Sequence, residues 1–196
     1  MEDFEKIRKA FENLSGSIDG FLDDCARETA ARFLSSVIKK TPVGKAPKGS
    51  NETVRVTGEN GKTRRFLTAD AARMQQYWSG YTGGTLRRAW TAKTESEAEN
   101  GGGGKDAEEY AGSLGVARSG NERKVYVTNP MKYASYVEHG HFQEPGRFVP
   151  ALGKRLKKSF TEPKHFTARA SVEVQRALPA VLDKKIEEYI SEVFRG

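Results

Sequence analysis

From Ile18 to Ile38 apolar and small residues recur at helical spacing without a miss: Ile18, Phe21, Leu22, Cys25, Ala26, Thr29, Ala30, Phe33, Leu34, Val37 and Ile38. That period describes an amphipathic helix with one buried face. Upstream, Phe4, Ile7, Phe11 and Leu14 continue the stripe at heptad-like intervals, so Ser15-Gly16-Ser17 either kinks one long helix or separates two. One helix ending near Lys40 is favoured, because Thr41-Pro42 stops it: proline pushes its predecessor out of the helical region. Cys25, the chain's single cysteine, sits on the stripe. It reads as a small core residue rather than a nucleophile, excludes an internal disulfide framework and fits a reducing cytoplasm.

Downstream the pattern shortens. "TPVGKAPKGS" is a Pro/Gly-rich loop, and in "TVRVTGENGKTRRFLT" β-formers flank the turn residues Gly58-Glu59-Asn60-Gly61, which predicts a hairpin over 53–68. "ADAARMQQYW" is a short helix, and residues 85–95 are expected as a strand. Four consecutive glycines in "ENGGGGKDAEEYAG" carry too much backbone entropy for an element, so this is a flexible loop tip. It is not a phosphate-binding loop, since Glu99 and Asp106 occupy the places that a glycine and a Ser/Thr would need. "ERKVYVTNP" alternates as a second strand through Val125 and Val127. "YASYVEHG" places Tyr133, Tyr136 and Val137 on one face of a two-turn helix capped by Gly140.

Residues 141–165 carry three prolines, two glycines and "GKRLKK", the pattern of an extended arm with a reach on the order of 70 Å. A final helix from about Thr167 to Phe194 lines up Val174, Leu178, Val181, Leu182, Ile186, Tyr189, Ile190 and Val193, with Pro179 as the expected kink. One domain over residues 1–196 is expected, with excursions at 44–81, 96–112 and 141–165. The charged N-terminus lacks the apolar run of a signal peptide, and no stretch approaches a membrane span, so the chain is expected in the cytosol unless it is exported within something larger.

Charge gives a first functional lead. The net charge is +7, and from Gly140 to Ala170 seven basic residues, Arg147, Lys154, Arg155, Lys157, Lys158, Lys164 and Arg169, face only Glu144 and Glu162. Such a patch suits an anionic partner, either a phosphate backbone or an acidic protein face. Phe142, Phe148, Phe160 and Phe166 interleave it, as stacking groups for a nucleic acid or anchors in a protein interface. Glu138, His139 and His141 are the one candidate metal cluster, but the His-x-His pair straddles the Gly140 stop and the only other histidine is His165. The favoured reading has Glu138 capping or pairing locally and the histidines on a surface loop. No G-x-S-x-G elbow is present. Neither a metal nor a cofactor is expected, and weight shifts to a structural or binding role.

The order of pieces carries a resemblance. A long helix ending in Thr41-Pro42-Val43, then "TGGTLRRAW", then a Val-rich strand into "NPMKYASYVEHGH", then "PGRFVPALGKRLKKSF" and "KHFTARA", resembles the gene-product-ten-like family of tailed bacteriophages. These are neck proteins described as head-tail joining, tail-completion or minor tail components, and the likeness is greatest to members from contractile-tailed phages and phage-like particles. In such proteins Thr-Pro-Val is followed almost directly by Thr-Gly-x-Leu-Arg, whereas this chain interposes residues 44–81. The resemblance implies an α+β subunit, a long N-terminal helix packed on a small antiparallel sheet, followed by a short helix, the extended arm and a C-terminal helix. It implies a homo-oligomeric ring, commonly of six, in a virion or phage-like particle assembled in the host cytoplasm. Its partners would be the connector or adaptor and the tail tube or sheath, with DNA passing the lumen and no membrane. It implies no enzymatic activity. On this reading Thr41, Pro42, Gly83, Leu86, Trp90, Tyr133, Tyr136, Gly140 and Phe166 serve turn and core. Arg87, Arg88, Arg147, Phe148, Lys154, Arg155, Lys157 and Lys158 are the interface candidates. The alternative is a DNA-binding or metal-dependent DNA-acting protein using the basic 140–170 segment.

Overall fold

The computed structural model describes residues 2–47, 49 and 52–195; Lys48 and Ser50 of the expected Pro/Gly-rich loop lie outside them. Helix α1 spans Glu2–Lys40, and a hairpin of β1 (Thr53–Thr57) and β2 (Thr63–Leu67) leads into α2 (Ala69–Trp78). Then come α3 (Thr85–Arg88) with a 3-10 turn at Ala89–Thr91, α4 (Glu95–Glu99), α5 (Ala107–Gly112), and the strands β3 (Val116–Ser119) and β4 (Glu122–Val125). The chain ends with α6 (Ala134–His139), the two-residue strands β5 (His141–Phe142), β6 (Phe148–Val149), β7 (Lys154–Arg155) and β8 (Phe160–Thr161), and α7 (Phe166–Arg195). The class is α+β, as expected, with every strand pair antiparallel. The chain divides into two compact units.

The first unit comprises Met1–Thr41, Leu86–Lys132 and His165–Gly196. Here α1 runs unbroken through Ser15-Gly16-Ser17, and α7 runs through Pro179. The two helices are antiparallel: the Phe21 ring stacks on Tyr189, Tyr189 shares a hydrogen bond with Ser17, and at the other end Lys40 pairs with Glu173. The core gathers at that second end, where Leu34, Val37, Phe166 and Ala170 are fully buried and Trp90 meets Phe33 and Phe166 edge-on. Short helices are fixed by local capping. Thr94 accepts from the Glu97 amide to start α4, and Asp106 accepts from the Glu108 and Glu109 amides to start α5.

Three expectations for this unit fail. Residues 85–95 are not a strand: Leu86, Ala89 and Trp90 are buried together at a spacing of three and four, so the period is helical rather than two. The glycine run is not a free tip, and α4 and α5 enter the 96–112 segment from either side. The Gly104 amide bonds the Arg88 carbonyl, the Lys105 amide bonds Thr91 Oγ1, and Gly103 (φ 78°) lies so close to the Arg88 carbonyl that a side chain would collide. The glycines are there for close approach. The "ERKVYV" strand closes at Val125, and its partner β3 was not foreseen.

The second unit comprises Pro42–Thr85 and Tyr133–Lys164. The β1–β2 hairpin forms where expected, in the register Val54 to Phe66 and Arg55 to Arg65. Thr68 caps α2 by accepting from the Ala71 amide. The arm is not extended. It folds back on itself, β5 pairing with β8 and β6 with β7, with Gln143 bonding the Ser159 carbonyl and Leu156 bonding the Arg147 carbonyl in between. Each leg of about nine residues then reaches roughly 30 Å rather than 70. Its tip docks on α2: Trp78 Nε1 donates to the Ala151 carbonyl at 2.5 Å, and Gly153 (φ 60°) packs on Met74. Paired backbone satisfies amides that an extended arm would leave to water.

Candidate assembly interface

The described residues fall into parts that packing holds rigid and parts that it leaves uncovered. The rigid part of the first unit is built around Thr41, which is fully buried. Its hydroxyl donates to the Val37 carbonyl at 2.7 Å and accepts from Trp90 Nε1 at 2.8 Å. Arg87 donates to the Thr41 carbonyl through Nη2 at 2.8 Å and Nε at 3.2 Å, placing a cation at the C-terminus of α1. Thr41, Leu86, Arg87 and Trp90 therefore close one polar junction at a helix end. Phe166, buried beside Trp90, completes its apolar side. Arg88 is half-buried and donates to the Ala98 carbonyl at 3.4 Å.

A second clamp joins β3 and β4 to α1. Asp23, buried on α1, accepts from Arg118 Nη2 at 2.5 Å and Arg123 Nε at 3.1 Å, and Arg123 also pairs with Asp19. The Arg118 hydrogen bond is the largest cause holding the Asp23 carboxyl below its ordinary range; burial works against it, and the charges of Arg118, Arg123 and Arg27 add to the lowering. At the core end Glu173 is held low by its hydrogen bonds to Lys40 and Ser36. Burial pushes the Cys25 thiol up, which disfavours the thiolate a nucleophile would need.

In the second unit Gly140 (φ 75°) caps α6, and a side chain there would meet the Phe160 ring at 2.7 Å. Gly83 (φ 73°) is buried against the Gly44 carbonyl. The buried face of α6 is not the expected one: Tyr133 and Tyr136 are exposed, and Glu138 is the buried residue of α6. The short helix turns its acid inward and its tyrosine rings to solvent. His139 is exposed, and the half-buried His141 lies edge-on to Tyr136. Among the described residues no group of three or more His, Cys, Asp and Glu is arranged to hold a metal ion.

The uncovered parts are distinct. In the arm Arg147, Phe148, Lys154, Arg155, Lys157 and Lys158 are all exposed on one folded hairpin, and Phe142 is 85% exposed against Phe160. Phe166 belongs to the core instead and cannot stack on a ligand. In the first unit Phe4, Ile7, Phe11, Ile186, Ile190 and Phe194 stay exposed where the N-terminal half of α1 meets the C-terminal half of α7. The sequence pattern puts Phe4, Ile7 and Phe11 on the apolar stripe of α1 and Ile186 and Ile190 on one face of α7, and leaves Phe194 outside both. Their exposure has no local signal, because the same period serves a core or an interface.

The family described as "Bacteriophage HK97-gp10, putative tail-component" matches residues 5–140. The chain belongs to this family. No curated protein and no solved structure matches it. The HK97-gp10-like match covers α1, the hairpin insertion, the Thr41 junction and α6, and it stops before the arm and α7. Membership makes the protein a bacteriophage tail component and implies contact with other phage tail proteins. Among the described residues no helix is long and apolar enough to cross a membrane.

Proposed function

We propose that the protein is a ring-forming subunit, a homohexamer as the family resemblance implies, at the head-tail junction or tail terminus of a phage or phage-like particle. There it joins or completes head and tail and performs no catalysis. The observation that carries this reading is the apolar end of the α1/α7 pair, where Phe4 is 83%, Phe11 58% and Phe194 53% exposed. Soluble monomers rarely leave such a contiguous surface to water, and a closed ring covers it. The folded basic arm supplies a second contact, for an acidic face of a neighbouring subunit, of the connector or adaptor, or of the tail tube or sheath. The particle is assembled in the host cytoplasm, with DNA passing the ring lumen.

Charge reversal at Lys154, Arg155, Lys157 and Lys158 tests the arm. The four-site glutamate variant should keep its far-ultraviolet dichroism and lose concentration-dependent assembly. Assembly untouched by these changes would remove the arm from the interface. A second reading, direct DNA binding, is favoured by Phe142 standing exposed in the same folded arm that carries the basic β6–β7 pair. Strong, salt-sensitive affinity of the isolated subunit for duplex DNA would support it.

A further inference from the structure

The β1–β2 hairpin is exposed along both strands. Its register sorts the side chains into two faces. Val54, Val56 and Phe66 share one with Arg64, while Arg55 and Arg65 stand directly opposite each other on the other. Like charges paired across strands are unfavourable, and a lone two-stranded ribbon is marginal in water. Among the described residues, none of Arg55, Lys62, Arg64 and Arg65 forms an ion pair. The hairpin is thus an apolar strip with an unneutralised guanidinium rim, the composition of an interface patch lacking its partner.

The same chain carries the complement. Residues 94–112 hold six acids and one lysine, a balance of −5, against +3 for the hairpin residues 53–67. On α4, α5 and the loop between them Glu99, Asp106, Glu108 and Glu109 are exposed, and among the described residues none of the four forms an ion pair. Capping explains the first turn: Asp106 accepts from the Glu108 and Glu109 amides, which leaves the carboxylates of Glu108 and Glu109 free for an outside cation. Beside them, between α1 and α5, lies a groove of about 240 Å³ lined by Glu28, Ala31, Arg32, Ser35, Asp106 and Glu108, in which Arg32 is paired with Glu28 and the two remaining acids are left without a cation among the described residues.

We infer that the β1–β2 hairpin of one subunit docks on the acidic α4–α5 shelf of a second copy, Arg55 and Arg65 meeting Glu108 and Glu109. This rests on the ring reading and gives it a direction, because two unlike patches that fit each other make a head-to-tail contact, the kind that closes a ring. Duplex DNA would neutralise the arginines and leave Val54, Val56 and Phe66 in water, so a protein face fits the whole hairpin better.

The test uses the full chain in three forms, R55E/R65E, E108K/E109K and the combination, with mass followed by light scattering against concentration at low and high salt. Each one-sided reversal should raise the midpoint concentration of self-association about tenfold or more, and the combination should return it to within about threefold of the unmodified chain. Failure of the combination to recover, or indifference to R55E/R65E, would overturn the hairpin–shelf contact while the unmodified chain's association leaves the ring standing. An unmodified chain that stays monomeric at every concentration would sink the ring reading and this contact with it. Loss of duplex DNA retention in R55E/R65E, with mass unchanged, would show a polyanion on the hairpin and likewise refute it.

Discussion

Replacing Thr41 by valine removes both hydrogen bonds of its hydroxyl but orphans only one buried group in the core of the first unit. The side chain keeps its shape, and the Val37 carbonyl keeps the Thr41 amide at 2.8 Å. What is lost is the acceptor for Trp90 Nε1, held at 2.8 Å in a place where Thr41 is fully buried and Trp90 only 4% exposed. An orphaned buried donor costs roughly 1–3 kcal/mol. For a chain of this size that lowers Tm by about 4–8 °C at the midpoint of that range. Thr41→Ser keeps the hydroxyl and drops one methyl, at a cost of about 1 kcal/mol. Urea unfolding followed by far-ultraviolet dichroism, which reports α1 and α7, should therefore rank valine below serine. In a Trp90→Phe background the valine penalty should shrink by about 1–2 kcal/mol, the coupling of the pair. A valine variant within about 0.5 kcal/mol of the parent, or a serine variant less stable than the valine variant, would refute the junction as described.

The lowered carboxyls of Asp23 and Glu173 set an acid limit: the unfolded chain binds their protons more readily, so their stabilisation is complete above the ordinary carboxylate range of about 4 and fades as pH falls through the folded values. Urea midpoints measured from neutral to acid pH should fall in that window, and Asp23→Asn should flatten the fall. Gly140→Ala forces a side chain into φ 75° and against the Phe160 ring, and should destabilise the second unit by roughly 2–4 kcal/mol, read as lost amide protection in α6 on hydrogen exchange.

Where periodicity was long the sequence was legible. The single long α1, its stop at Thr41 and the Gly58–Gly61 hairpin turn all express local rules, and the structure follows them, while the α1 stripe is buried at Leu34 and Val37 and exposed at Phe4, Ile7, Phe11 and Ile18. Where a segment had too few residues to show a period, long-range packing decided. Leu86, Ala89 and Trp90 went helical because Thr41 and Phe166 wait beneath them. The glycine run reads as freedom in one dimension, while in three it permits contact with the Arg88 carbonyl. The arm's proline and glycine content says only that it is irregular. That it doubles back onto Trp78 and Met74 depends on a helix more than 60 residues upstream. Arg87 shows the same limit for the site, since its charge suggested an outward role and the fold spends it on the α1 carboxyl end.

The most direct measurement is the native mass of the purified protein, by light scattering over a wide concentration range with electron micrographs of the heaviest fraction. A ring reading requires a concentration-dependent rise from 21.7 kDa to about six times that mass, with annular particles in the micrographs. A single species of 21.7 kDa at every concentration, and no rings, would contradict it.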